Sequence, residues 1–367
     1  MKTVCKTNRC NGCMACLSIC PKHCISIRDA IEYLNAEIDV ALCINCKLCQ
    51  KVCPNINIVS KNNPIEWKQG WADEEIRCLA ASGGAASAII KSFISSGGFV
   101  AACLFENGTF SFEITNDEQK ARLFAGSKYV KSNPINIYEK ISEKLKTNKV
   151  LFIGLPCQVA GVKNYIKNQQ NLYTIDLICH GTPSVKLLDM YLKERGYNLS
   201  NLKDVKFRSK TDMGLIVDGK KINPPRITDE YLCAFLEGID YTENCYSCQF
   251  ASLERVSDMT LGDSWGSEYT SEKNKGISLI LVQNNKGLEL MNNSNINLRN
   301  VNLNDAVHNN HQLSHPTKKN PKRRSFFQLI HIGKGFKKAT FSVLPQMIIK
   351  QKIKLILLKL HLIKPQK

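Results

Sequence analysis

The sequence predicts two fold classes in series: a small α+β domain over residues 1–60 and a larger α/β domain behind it. Three observations carry this reading. One cysteine run is written twice within the first sixty residues. From about residue 75, short apolar runs alternate with helix-like segments, the pattern of parallel β/α units. The chain's 367 residues also exceed what a single core ordinarily organises.

The repeat comes first. Cys10, Cys13, Cys16 and Cys20 are followed by Pro21, and Cys43, Cys46, Cys49 and Cys53 by Pro54. Each run reads Cys-x-x-Cys-x-x-Cys-x-x-x-Cys-Pro, the spacing that holds 4Fe–4S clusters in bacterial two-cluster ferredoxins. Three thiolates of one run grip one cluster, and the fourth crosses to the other. Cys10, Cys13, Cys16 and Cys53 are therefore expected around one cluster, and Cys43, Cys46, Cys49 and Cys20 around the second. A pair of zinc sites would need four ligands each and no crossover proline, which makes iron–sulfur the stronger reading. Cys24-Ile25-Ser26-Ile27 and Ile56-Asn57-Ile58-Val59 follow the two runs as matched strand-like segments. The whole predicts a ferredoxin-like, pseudo-twofold domain. Cys5 and Cys24 lie outside the runs and are expected as small packed residues.

Ser60 to Pro64 reads as a linker. Ser82-Gly83-Gly84 then precedes a helix from Ala85 to Ile94, and a strand follows from Phe99 to Phe105. Gly126-Ser127-Lys128-Tyr129 sits in a loop before a helix from about Ile135 to Thr147. Val150 to Ile153 is a short strand that opens into Gly154-Leu155-Pro156-Cys157 and a helix from Gln158 to Lys167. Leu172 to Ile178 is a second strand, opening into Cys179-His180-Gly181-Thr182-Pro183-Ser184 and a helix to Arg195. In parallel sheets, ligands bind at the loops beyond the carboxyl ends of strands, and Cys157 and Cys179 both lie at such loops. Beyond Phe207 the pattern is irregular, with Cys245-Tyr246-Ser247-Cys248 in a loop-rich stretch and one more strand from Gly276 to Gln283.

Composition narrows the class. Hydrophobic residues make up 43% and charged residues 22%, as in ordinary globular proteins. No apolar run long enough to span a bilayer appears, and the N-terminus has no signal-peptide pattern, so a cytoplasmic protein is expected. The cytosol keeps thiols reduced, so the 17 cysteines read as ligands and packed thiols, not disulfides. The net charge of +18 is misleading as a nucleic-acid signal. Between Lys318 and Lys367 lie 14 lysines and arginines and no acid, leaving only +4 for everything before them.

Beyond the cysteine runs the chain resembles the beta subunit of coenzyme F-420 hydrogenase and dehydrogenase. Ser82-Gly83-Gly84, Gly126-Ser127-Lys128-Tyr129, Gly154-Leu155-Pro156-Cys157-Gln158 and Asp176-Leu177-Ile178-Cys179-His180-Gly181-Thr182-Pro183-Ser184 carry the resemblance. Cys245-Tyr246-Ser247-Cys248 with Gly262-Asp263-Ser264-Trp265-Gly266 completes it. The order is the family's, over roughly residues 75 to 325. The resemblance implies an α/β domain that binds FAD and carries a 4Fe–4S cluster of its own. Its divisions are expected at 75–148 and 149–325, the second part holding the cluster.

The residues themselves support a third cluster. Cys157, Cys245 and Cys248 fall in turn-like segments where thiolates could converge. Cys179 is the expected fourth ligand, Asp263 the alternative; a zinc site, or a merely structural Cys179 thiol, would also fit. Ser82-Gly83-Gly84 before a helix suits a pyrophosphate cradle, with Gly126, Ser127, Lys128 and Tyr129 adding a hydroxyl, a cation and an aromatic face. Two ordinary glycine turns would look the same. His180 is the candidate catalytic proton donor, set against a structural hydrogen-bonding role. Trp265 could stack on a ring or pack in a core.

Iron–sulfur clusters and a flavin together imply a converter between one-electron and two-electron chemistry. A redox partner protein or small electron donor is expected at the N-terminal domain, and an organic small molecule at the flavin. The alternative is a non-catalytic electron-transfer subunit of a larger complex. Residues 326–367 are expected as a basic tail. From Pro345 on, apolar residues and lysines alternate in a segment that could rest on a membrane surface, dock on a partner, or pack on the body.

Overall fold

The computed structural model describes residues 2–210 and 212–362. Strands β1 (Lys2–Thr3), β2 (Ile25–Asp29) and β3 (Leu34–Ile38) form a small antiparallel sheet with β3 at its centre. Each cysteine run closes with a short helix, Ala15–Ser18 in the first and Leu48–Val52 in the second. The expected strand at Ile56–Val59 is corrected. This segment is turn and bend, and Ile58 is exposed. The segment between the runs supplies the central strand instead, and β1 and β2 occupy both of its edges.

Strands β4 (Glu66–Ala72), β5 (Phe99–Glu106), β6 (Thr109–Thr115), β7 (Val150–Gly154) and β8 (Leu172–Leu177) begin the main sheet. A side sheet of β9 (Val205–Arg208), β10 (Met213–Val217) and β11 (Lys220–Lys221) follows. The main sheet is completed by β12 (Met259–Asp263), β13 (Ser278–Val282) and β14 (Ile296–Arg299). Its order is β14-β4-β13-β12-β8-β7-β5-β6. The centre, β5, β7, β8 and β12, is parallel, and the outer pairs are antiparallel, so the sheet is mixed. Both sides of residue 148 contribute strands to this one sheet.

The parallel strands carry the expected β/α pattern. Val150 to Phe152 and Ile175 are fully buried, and the helices Ala85–Ser95 and Pro156–Tyr165 cover opposite faces. The second of these helices also reaches the N-terminal domain. A side chain at Gly161 would meet Cβ and Sγ of Cys13 at 3.2 and 3.3 Å, so only glycine lets the helix come this close. Val4, Ala15, Leu34, Tyr138, Val159 and Val162 belong to one continuous core. The N-terminal domain is thus packed on the α/β body.

The expected tail from residue 326 is also corrected. Helices Arg323–His331 and Phe336–Val343 bury Phe326, Phe327, Phe336 and Ala339 against the body. Arg323 is buried there and pairs with Glu32 of the N-terminal domain at 3.5 Å and Glu243 at 3.2 Å. The last helix, Pro345–Lys359, meets this packing along one side, with Ile348 its one buried residue and Met347 partly buried against the core. Residues 363–367 lie outside the described residues. No helix among those described is long and apolar enough to cross a membrane.

Asp240 yields a pH prediction. It is wholly buried, neither carboxylate oxygen has a partner, and burial pushes its pKa up to about 8. In the unfolded chain the group titrates near its ordinary value, about 4. Between about pH 4 and about pH 8 the folded state therefore holds a proton that the unfolded state has released, and stability falls as pH rises through that window. Asp240→Asn should remove this loss, worth on the order of a few kcal/mol at pH 8. Anaerobic thermal unfolding at pH 5 and pH 8 checks it; an unchanged pH slope in the variant would refute it.

Candidate functional site

The two cysteine runs fold alike. Gly12 and Met14 have φ of 72° and 59°, and their counterparts Asn45 and Lys47 have 55° and 60°. Left-handed residues alternating with right-handed ones turn successive N–H groups inward, a concavity suited to an anion. Three of these four residues are not glycine, and such backbone strain persists where the surroundings require it. A thiolate-ligated cluster is an anion of that kind, and the runs fit it.

The last cysteine of each run lies among cysteines of the other run. Cys53 shares one hydrogen-bonded thiol group with Cys5 and Cys10, with Cys13 as an electrostatic neighbour. Cys49 is pushed up by burial and by Cys46, Cys20 and Cys43. The N-terminal cysteines thus fall into two groups, each containing the last cysteine of the other run. Cys5 is buried within the first group, between Cys10 and Cys53, and Cys24 within the second, its Sγ 3.4 Å from Cys20 Sγ. Cys46 alone of the eight run cysteines is exposed, among the exposed apolar side chains Val40, Leu42 and Ile44.

Four of the remaining seven cysteines meet at a cavity of about 260 Å³ between the N-terminal domain and the α/β body. Cys157 enters from the start of the helix after β7, Cys179 from the loop after β8, and Cys245 and Cys248 from a short helical turn. Burial and then the neighbouring Cys248 and Cys179 thiols raise Cys157 well above the usual range, with Lys131 opposing them. Burial and the other cysteines push Cys179 up to about 12. Burial likewise raises Cys248, and thiols that resist ionisation on their own deprotonate when they bind metal. Among the described residues no group of three His, Cys, Asp or Glu side chains closes on a single ion.

Three side chains to which the sequence alone gives no role hold this cavity. Arg255 is buried and donates to Asp176 Oδ1 from Nη2 at 2.9 Å and from Nε at 3.2 Å. It also donates to the carbonyls of Phe250, Ser252 and Leu177, tying the Cys248 loop to the end of β8. Lys131 lines the wall towards the first cysteine run, its Nζ 3.4 Å from the carbonyl of Asn11. No sequence pattern marks these contacts; only the packing of distant segments brings them together.

Cys179, His180, Gly181 and Thr182 form a wall. Its other side faces a second cavity of about 240 Å³ at the carboxyl ends of β7, β8 and β12. Ser82, Gly84, Gly126, Ser127, Lys128 and Tyr129 all line it. Gly83 does not; it presses the loop onto the sheet, where a side chain would meet Ser278 N at 2.5 Å. Gly84 caps the helix Ala85–Ser95 in the left-handed region and leaves the helix N-terminus facing the cavity, a setting that favours an anionic group. Lys128 is committed to the carbonyls of Phe124 and Ala125 at 2.7 and 3.1 Å. Tyr129 stacks on Phe235, with centroids 4.5 Å apart.

Two alternatives from the sequence are corrected here. Asp263 lines the second cavity and not the four-cysteine one, and it is held by Arg208 at 2.8 and 2.9 Å. Its pairing leaves Cys179 as the fourth thiol. Trp265 is 49% exposed and lines the second cavity, so it is not a packed core aromatic. His180 is exposed and reachable through both cavities; partial desolvation and then His311 lower its pKa to about 4. Its ring is neutral at neutral pH and offers a hydrogen bond, not an imidazolium proton.

Paired cysteine runs joined to an α/β body with a third cysteine group define an iron–sulfur electron-transfer protein. Residues 9–57 match the 4Fe–4S dicluster domain, and residues 147–304 match the C-terminal part of the coenzyme F420 hydrogenase/dehydrogenase beta subunit. Over residues 147–304 the chain is thus similar to that beta subunit, with a segment similar to the dicluster domain in front. It is 24% identical over 325 residues to an uncharacterised protein of Methanocaldococcus jannaschii, covering 77% of this chain and 85% of that one. It is 22% identical over 188 residues to one of the subunits of the F420H2 dehydrogenase of Methanosarcina mazei, 46% of this chain and 53% of that protein. In fold it resembles a chain of the xenon-derivatised F420-reducing [NiFe] hydrogenase complex of Methanosarcina barkeri. There the TM-score is 0.51 at 15% identity, over 74% of this chain and 94% of that one.

Proposed function

We propose that this chain is an iron–sulfur flavoprotein oxidoreductase that links one-electron transfer to two-electron chemistry on an organic molecule. The observation that carries the reading is the shared wall. The first cysteine run, the four-cysteine cavity and the second cavity stand in series, separated by Asn11 and Lys131 and then by Cys179 to Thr182. When bound, 4Fe–4S clusters carry single electrons and FAD accepts a pair.

Cys10, Cys13, Cys16 and Cys53 would hold one cluster, Cys43, Cys46, Cys49 and Cys20 the second, and Cys157, Cys179, Cys245 and Cys248 the third. Ser82, Gly84, Gly126 and Ser127 would position FAD, with the helix N-terminus at Gly84 towards its phosphates. His180 would stand beside the flavin as a neutral hydrogen-bond donor. A redox partner would meet the exposed edge at Cys46, where Val40, Leu42 and Ile44 offer apolar contact. Two of the related proteins named above belong to an F420H2 dehydrogenase and an F420-reducing hydrogenase. That supports a deazaflavin or another organic acceptor as the second reactant. Free thiols throughout the described residues suit the reducing cytoplasm.

The test is cofactor analysis of anaerobically purified, reconstituted protein. About twelve iron atoms per chain, four per cluster, and one FAD are expected. Iron without flavin would remove the enzyme reading and leave a non-catalytic electron-transfer subunit.

A further inference from the structure

The helix Pro345–Lys359 touches the body along one side. Ile348 is buried, and the side-chain oxygen of Gln351 accepts from the N–H of Thr228 at 3.2 Å. The opposite side carries Ile349, Ile353 and Ile356, continued by Leu360. Their spacing of four, three and four residues places them in one stripe. They are 44, 52, 56 and 60% exposed. Lys350, Lys352 and Lys359 are exposed and flank the stripe. Phe341 adds a further exposed ring, with the Lys352 ammonium 4.8 Å from its centroid.

The charge is of one sign. No aspartate or glutamate follows Asp305. Among the described residues, the ion pairs of this part of the chain end at His331. Lys334, Lys337, Lys338 and the lysines of the last helix therefore keep their charge for an outside partner.

We propose that this face docks the protein on an anionic membrane surface. An apolar stripe between lysines suits the boundary of acyl chains and acidic headgroups, where lysine stems lie along the apolar layer and their ammonium groups reach the phosphates. The helix is too short to span the bilayer, so the contact is peripheral. A protein partner fits less well. Residues 345–362 contain no Arg, Trp or Tyr, the anchors that dominate protein interfaces, and no acid to set register against a partner's cation. Neither cavity takes part in this contact, so it stands apart from the redox assignment.

The experiment is flotation of the full chain, under anaerobic conditions, with two sets of vesicles. One is phosphatidylcholine alone; the other contains about a third phosphatidylglycerol, enough to give a strongly negative surface. The protein should float with the anionic vesicles, stay down with the neutral ones, and be released by high salt. The double variant Ile353→Asp, Ile356→Asp should lose at least tenfold of the bound fraction. Both positions are exposed, and an unchanged iron content controls for folding. No flotation with either vesicle, as expected of a face made for a protein partner, would overturn the proposal. So would equal flotation with neutral vesicles, or a double variant that floats like the parent.

Discussion

Cys157→Ala is expected to lower the iron content by about a third, the share of one 4Fe–4S cluster in three, while leaving bound flavin unchanged. The thiol lies at the start of the helix Pro156–Tyr165 and lines the four-cysteine cavity but not the second cavity. Removing it takes one of four ligands from the third group and nothing from the flavin cradle. The eight cysteines of the repeated runs keep their sulfur atoms. Electron paramagnetic resonance of the reduced protein should lose one of its signals. Cys179→Ala should differ, because Cys179 lines both cavities; iron and flavin should fall together. Cys103→Ala, a thiol that lines neither cavity, should change neither. Equal iron in the Cys157 variant and the parent would dismiss the third cluster. A zinc ion lost in its place would show that the four thiols serve another metal.

The N-terminal assignment was legible because its information is local. Eight ligands at fixed spacing carry the chemistry in the order of the chain. The four-cysteine cavity was legible only as residue types. Its fourth member stayed open between Cys179 and Asp263, because the choice depends on which side of β12 each reaches. Arg208, far along the chain and in another sheet, holds Asp263 at the second cavity. The missed strands divide in the same way. β6 was readable: Asn107-Gly108 is a type I′ hairpin signal, both residues take positive φ, and Phe110, Phe112 and Ile114 alternate behind it. β4 was not. Its Gln69 is fully buried and looks out of place in a strand until Glu268, Asn300 and Ser264, all about 200 residues away, meet its amide. Residues 326–343 read as tail because their basic residues mask a run of buried phenylalanines. Arg323 itself is enclosed, paired with two glutamates and set over the ring of Phe327.

Arg255→Met should be the most destabilising single change at the site, by about 3–5 kcal/mol, the usual cost of breaking a buried ion pair from one side. Arg255 and Asp176 are 2% and 0% exposed. Methionine fills part of the space of the lost side chain but leaves the Asp176 carboxylate buried without its cation. Asp176 Oδ2 already lacks a partner among the described residues, so Oδ1 loses the Arg255 cation and the whole ion is stranded. The carbonyls of Phe250 and Leu177 lose the Arg255 donor at the same time. Those bonds fasten the segment after Cys248 to the end of β8, two residues before Cys179. The variant should therefore bind about a third less iron even where it folds, with the N-terminal clusters retained. Anaerobic urea unfolding followed by circular dichroism measures the first effect, and iron analysis the second. Asp176→Asn added to Arg255→Met should recover part of the stability, since it removes the stranded charge, but not the iron, since the loop remains unfastened. If the double variant is as unstable as the single, the loss comes from packing and not from the ion pair. If it regains the third cluster, then Arg255 does not position Cys248, and the loop is held by its contacts with the N-terminal domain alone.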